Sequence, residues 1–347
     1  MKKPEIDKPV IKKIGTFKRQ VVSISPEELI KTEWLEGRLL PLIIKPATQE
    51  LKLADWAKNN QQMIETNLLN HGGILFRNFQ VNGAAEFELF IQAIAGNLLE
   101  YSYRSTPRHH VSGKIYTSTE YPAEESIPLH NEMSYSCNWP MKICFHCVQP
   151  AKEGGETPIA DSRKVFQRID PSIREKFQQK KVMYVRNYRD KLDLPWQDVF
   201  QTNSKTEVED YCRNNGIEYE WYDQDSLKTR QICQAVATHP QTNETVWFNQ
   251  AHLFHISSLN PTVREGLLAG FKEEDLPRNT YYGDGSPIET SVLDSIREIY
   301  QQEAITFPWQ AGDVLLLDNM LICHGRAPFI GSRKVLAGMA EPFSSKN

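Results

Sequence analysis

The sequence predicts a mainly β protein with flanking helices, a jelly roll of the double-stranded β-helix type. Three observations predict it. Short apolar runs alternate with Gly and Pro turns across residues 115–161, as in an antiparallel sheet. Further strand-type runs follow at 245–248, 314–318 and 333–340, the last after a turn at Gly331. Only a few helical stretches interrupt them, which suits two packed sheets with helical decoration.

The elements follow in order. Residues 1–20 are basic, punctuated by Pro and without clear periodicity, and read as a flexible arm before a single domain at 21–347. Residues 51–69 carry Trp56, Met63, Ile64 and Leu68 at helical spacing and run into Asn70-His71-Gly72-Gly73, a helix stop. Residues 73–77 then read as a short buried strand. A second amphipathic helix is expected at 87–99, and another at 162–180 with a break at Pro171. Residues 186–230 are polar and rich in Tyr and Trp, and read as an insertion able to act as a lid.

Composition narrows the function classes. The chain has 347 residues, 40% of them hydrophobic and 24% charged, as in ordinary soluble globular proteins. A net charge of −4 gives no general attraction to nucleic acid or anionic membrane. No apolar run approaches a membrane span, and the basic N-terminus lacks an apolar signal core, so a cytoplasmic location is expected. Six cysteines then read as reduced thiols. Cys144-x-x-Cys147 has no second pair at a usable spacing, so it reads as strand filler rather than a zinc site. Nothing in the composition indicates an oligomeric state.

The chemistry is concentrated in His130-Asn131-Glu132 and a distant His324. On a strand, residues i and i+2 share a face, so His130 and Glu132 are expected to bind one metal with His324 arriving from another strand. Two imidazoles and a carboxylate with open opposite positions form the facial triad of non-haem Fe(II) oxygenases. With 9 His and 44 acidic residues, about one His-x-Asp/Glu is expected by chance, so the case rests on its companions.

Those companions come in order along the chain. Gly154-Gly155-Glu156-Thr157 allows a tight turn into a strand-start hydroxyl. An apolar strand at 312–319 leads to Cys323-His324-Gly325-Arg326, and Gly331-Ser332-Arg333-Lys334 is expected to return antiparallel, bringing Arg333 near His324. A 2-oxo acid chelates iron through its keto oxygen and first carboxylate. Its far carboxylate needs a cation, which Arg supplies better than Lys because its fork is bidentate. Arg333 and Thr157 are the natural anchor for 2-oxoglutarate, with Lys334 the alternative if the register slips by one.

These stretches, with IYTSTEYP at 115–122, PLHNEMSYS at 128–136, GGETPIADSR at 154–163, VWFNQAHLFH at 246–255 and DNMLICHGR at 318–326, resemble the TauD/TfdA superfamily of Fe(II)- and 2-oxoglutarate-dependent dioxygenases. The resemblance covers roughly residues 35–343 and is strongest to the SyrP-like hydroxylases of nonribosomal peptide pathways. It implies His130, Glu132 and His324 as iron ligands and Thr157 and Arg333 as the 2-oxoglutarate anchor. Two departures matter. Most of the superfamily has Asp where this chain has Glu132, and often a second Arg where this chain has Ala337. Related halogenases lack the carboxylate altogether, so Glu132 implies hydroxylation.

The resemblance implies attack by O2 on an aliphatic carbon of an amino acid or a carrier-protein-bound aminoacyl group. Arg104 and Arg108 are candidates for a substrate carboxylate or a carrier's phosphopantetheine, and Asn249 for the substrate cavity. Trp247 and Phe248 could wall the cavity; His252 and His255 read as packing or hydrogen-bonding residues, and His109 and His110 as surface ones. A taurine-like sulfonate dioxygenase is the alternative enzyme. A non-catalytic jelly-roll binding protein is the alternative outside catalysis.

Overall fold

The computed structural model describes residues 29–345, apart from 49, 101, 102, 104, 107, 108, 119, 120, 190–192, 223 and 224. The expected arm at 1–20 and both Arg104 and Arg108 therefore lie outside the described residues.

Among the described residues the largest sheet has eight strands. Its order is Ile30–Trp34, Leu42–Pro46, Gly73–Phe76, Val314–Asp318, Asn138–Gln149, Lys334–Ser344, Ile115–Thr117 and His110–Ser112. Strand alternation divides its side chains between two cores. Ile143, Phe145, Cys147, Leu315, Leu317, Val335, Ala337 and Met339 face inward. Cys144, Val314, Leu316 and Leu336 face outward, onto Trp56, Leu68 and Phe90 of the flanking helices. The inner face looks toward a three-stranded sheet ordered Ile127–His130, Ile322–Arg326, Ile159–Asp161. This is the expected jelly roll, with the candidate site between its two sheets.

The helix expected at 51–69 is two helices, Leu53–Lys58 and Gln61–His71. The break is chemical. The Asn59 and Asn60 amides donate back to the carbonyls of Asp55 (3.1 Å) and Trp56 (2.7 Å), competing with the helix ladder. The stop is as expected: Gly72 takes φ 75° and closes the helix onto Leu68. A Cβ there would also meet Ile322 Cδ1 at 2.6 Å. The second helix starts earlier than expected, at Gly83–Ala95. The third divides at Pro171 into Ser162–Arg168 and Pro171–Lys180, capped by Asp161 and Asp170.

Residues 186–230, expected as an insertion, contain the helices Trp196–Phe200 and Lys205–Asn215 and the strand Glu218–Tyr222. They belong to a four-stranded sheet ordered Glu218–Tyr222, Ser226–Cys233, Val182–Tyr188, Arg278–Tyr282. Val199, Val208, Cys212 and Leu227 are buried in the same cluster as the inner face of the sandwich. All six cysteines are buried and none is in a disulfide. No helix among the described residues is long and apolar enough to cross a membrane.

Candidate active site

His130 ends one strand of the small sheet and His324 lies opposite it in antiparallel register. Their ring centroids are 4.7 Å apart. Glu132 does not reach them by strand alternation. The strand stops at His130, and a turn through Met133, at φ 58°, carries the carboxylate in. The driving force for that turn is polar. Glu132 N–H donates to Asn319 Oδ1 at 2.7 Å, and Asn319 Nδ2 donates back to the Glu132 carbonyl at 2.9 Å and to the Pro140 carbonyl at 2.8 Å. Asn131 turns the other way, its amide donating to Ser162 Oγ (3.0 Å) and the Asn319 carbonyl (2.7 Å).

Glu132 Oε2 consequently stands 3.8 Å from His324 Nε2. One ligand atom from each of His130, Glu132 and His324 lies within 4.8 Å of the others, and among the described residues this is the one such cluster found. The donor set fits a divalent transition metal. His130 Nδ1–H donates to the Pro128 carbonyl at 2.8 Å, which selects the tautomer whose Nε2 lone pair is available to a metal. The Phe145 ring lies 4.9 Å from that of His324 and gives the cluster an apolar wall.

The crevice at this cluster is also lined by Thr157, Ser118, Arg326 and Arg333. Arg333 packs over the Gly pair: Nε donates to the Gly155 carbonyl at 2.8 Å and Nη1 to Ser118 Oγ at 3.3 Å. A Cβ on Gly155 would meet Arg333 Cδ at 3.0 Å, and Gly155 holds φ 75°. Both facts require glycine there. Burial, reinforced by the neighbouring Arg326, lowers the Arg333 pKa to about 10. It remains charged at neutral pH, and no carboxylate among the described residues forms a salt bridge with it. Thr157 is buried, and its oxygen accepts from Trp309 Nε1 at 3.2 Å, leaving its O–H to donate. Lys334, the alternative register, is exposed.

The route of Arg333 to the site differs from expectation. Its strand, Lys334–Ser344, pairs antiparallel with Asn138–Gln149 in the large sheet, not with the His324 strand. Residues 327–332 cross the sandwich, with Phe329–Ile330 pairing to Glu153–Gly154 on the way. Arg333 therefore faces His324 across the sandwich instead of returning beside it in a hairpin.

Other expected residues fall elsewhere. Asn249 is fully buried. Its Nδ2 donates to the Ala235 carbonyl at 2.7 Å, and its Oδ1 caps Ala251 N–H at 3.0 Å. Its amide is thus occupied by backbone, and it does not line the crevice. Trp247 and Phe248 are core residues, Trp247 edge-on to Phe177 and Phe248 tilted against Trp139. His252 supports the site from behind, bonding the Leu129 carbonyl at 3.0 Å and packing on Tyr300. His109 and His110 are exposed, as expected. The sequence reading missed Asn319 and Trp309. Asn319 stood inside the quoted DNMLICHGR stretch without a role.

Comparison with known proteins agrees with this geometry. A family described as taurine catabolism dioxygenase TauD, TfdA family matches residues 39–340. The dapdiamide synthesis protein DdaC of Enterobacter agglomerans is 43% identical over 279 residues, 80% of this chain and 85% of that protein. A clavaminate synthase-like protein of Arabidopsis thaliana is 28% identical over 329 residues, 88% of this chain and 95% of that one. The crystal structure of PvcB from Pseudomonas aeruginosa shares the fold, with a TM-score of 0.53 at 15% identity over 94% of each chain. The match spans the metal cluster, the Gly-Gly turn and the Arg333 strand alike, and on it the chain belongs to the TauD/TfdA family of dioxygenases.

Proposed function

We propose that the chain is an Fe(II)- and 2-oxoglutarate-dependent hydroxylase. Its substrate is an aliphatic carbon of an amino acid or a carrier-tethered aminoacyl group in a specialised biosynthetic pathway. One observation carries the reading: the two histidines of a two-His, one-Glu donor cluster line the same crevice as a half-buried, charged Arg333 that forms no salt bridge among the described residues. The cluster suits iron, and the cation suits the far carboxylate of a 2-oxo dicarboxylate.

Bound iron supplies the O2 chemistry; overall, one oxygen atom enters the substrate C–H bond as 2-oxoglutarate becomes succinate and CO2. The chain supplies position and exclusion. His130, Glu132 and His324 hold the metal, with Asn319 and the Pro128 carbonyl orienting two of them. Arg333 and the Thr157 hydroxyl hold the distal carboxylate, and Phe145 keeps one wall dry. Phe200 and Tyr211 pack on Tyr103, and Tyr103 on Tyr135, three residues beyond Glu132.

Two facts favour an aminoacyl substrate over a sulfonate. DdaC is named for dapdiamide synthesis. Ala337, where a second cation would be needed, is a buried inner-face alanine opposite Phe145 and Tyr116. The test is a mass-spectrometric screen of free amino acids, carrier-bound aminoacyl thioesters and small sulfonates with Fe(II), 2-oxoglutarate and O2. A gain of one oxygen on an aminoacyl compound supports the reading. Sulfite release from a sulfonate would replace it. Absence of succinate formation under every condition would remove the oxygenase assignment itself.

A further inference from the structure

Beside the metal crevice lies a larger cavity of about 420 Å³. The two share Ser118, Arg326 and Arg333, so the guanidiniums form the partition between them. The outer cavity includes neither His130 nor His324 and is therefore not where a carbon is oxidised. Its wall carries three cations, Arg326, Arg333 and Lys334, and no carboxylate among the described lining residues.

The partition is built, not incidental. Arg326 is 5% exposed, and its Nη atoms donate to the carbonyls of Tyr121, Pro122 and Glu125, splinting that loop over the cavity. Its Nε is buried without a hydrogen-bond partner. The Phe329 ring serves both guanidiniums, 5.2 Å from Arg326 Cζ and 5.7 Å from Arg333 Cζ. Holding two desolvated cations this close is unfavourable until an anion arrives, and Arg326 contributes to the lowered pKa of Arg333. Tyr121, half exposed, also lines the outer cavity.

We infer that the outer cavity is the port through which 2-oxoglutarate enters and succinate leaves. Lys334 at the rim draws the dianion toward Arg333, and Tyr121 narrows the opening. Cations lining a low-dielectric cleft raise the local concentration of an anion and its association rate. The port lets the dicarboxylate exchange without passing a substrate held against the metal, which suits a tethered group that dissociates slowly. The inference rests on the co-substrate reading above.

The experiment is anaerobic stopped-flow binding of 2-oxoglutarate to the Fe(II)-loaded full chain, followed by the weak visible charge-transfer band. Lys334→Glu should slow association roughly tenfold at low salt, with the difference shrinking as salt rises and the release rate unchanged. Tyr121→Ala leaves the backbone carbonyl for Arg326 and should raise association and release rates together, with Kd unchanged. A merely structural role would change the final band, would move Kd in Tyr121→Ala, or would leave in Lys334→Glu a defect that high salt does not erase. The expected Kd rise in Lys334→Glu comes from the association rate alone. If the wild-type band forms but neither variant changes a rate by more than about twofold, the port is elsewhere and the co-substrate reading stands. If folded, iron-loaded wild type gives no band, both readings fall.

Discussion

Arg333 is half-buried and bonded to one carbonyl and one hydroxyl, and Arg326 stands nearby with the same charge. A cation in that condition is poised for an anion. Arg333→Gln should raise the 2-oxoglutarate requirement far more than that for the prime substrate. Losing a charge-assisted hydrogen bond costs about 1.5–3 kcal/mol, so roughly 10- to 100-fold is expected from steady-state KM values. Lys334→Gln, at the exposed rim, should leave the release rate of the dicarboxylate unchanged. Slowed binding of prime substrate with an unaltered 2-oxoglutarate KM in Arg333→Gln would reverse the assignment. The residue types of this site were legible in the sequence because metal and carboxylate chemistry restrict them so strongly. Asn249 was misjudged for the opposite reason. A polar residue in an apolar stretch can serve a ligand or its own backbone, and here the Ala235 carbonyl and Ala251 N–H take it.

At the scale of elements, the site depends on one asparagine that ties two of them together. Asn319 follows the strand Val314–Asp318 and exchanges two hydrogen bonds with the Glu132 backbone. Asn319→Ala would strand a buried N–H and two carbonyls. The expected loss is on the order of 3 kcal/mol of unfolding free energy, read from urea curves. It should also weaken Fe(II) binding roughly 10- to 100-fold, since the turn that aims Glu132 loses its lock. Unchanged metal affinity in a folded Asn319→Ala protein would mean that the turn holds itself. This lock was invisible in the sequence because its partners are backbone groups 187 positions away, and backbone groups carry no residue signature. The crossing of residues 327–332 between sheets was hidden for a related reason. Gly331, at φ 88°, marks a turn, but a turn does not say which sheet the next strand joins.

At the scale of the molecule, alternating apolar runs were enough to read two packed sheets, because alternation is itself the burial pattern of a sandwich. The whole fold also carries an acid sensitivity. Burial lowers the His252 pKa to about 3 and that of His255 to about 4. Both are neutral when folded at pH 5, whereas the unfolded chain takes up protons below about pH 6.5. Unfolding therefore binds protons, and stability falls as pH drops from 6.5 toward 4. Two such groups give a slope of about 2.7 kcal/mol per pH unit at the lower end of that window. Urea midpoints measured in metal-free protein between pH 7 and 5 should decline with that curvature. A flat profile would mean that both imidazoles protonate in place.

The central claim is that His130, Glu132 and His324 hold one iron against a 2-oxoglutarate anchored by Thr157 and Arg333. The most direct measurement is an anaerobic titration of Fe(II) into protein with 2-oxoglutarate, monitored in the visible. The wild type should develop a weak charge-transfer band at one iron per chain, and folded His130→Ala and His324→Ala proteins should develop none. A full band in either variant would contradict the account.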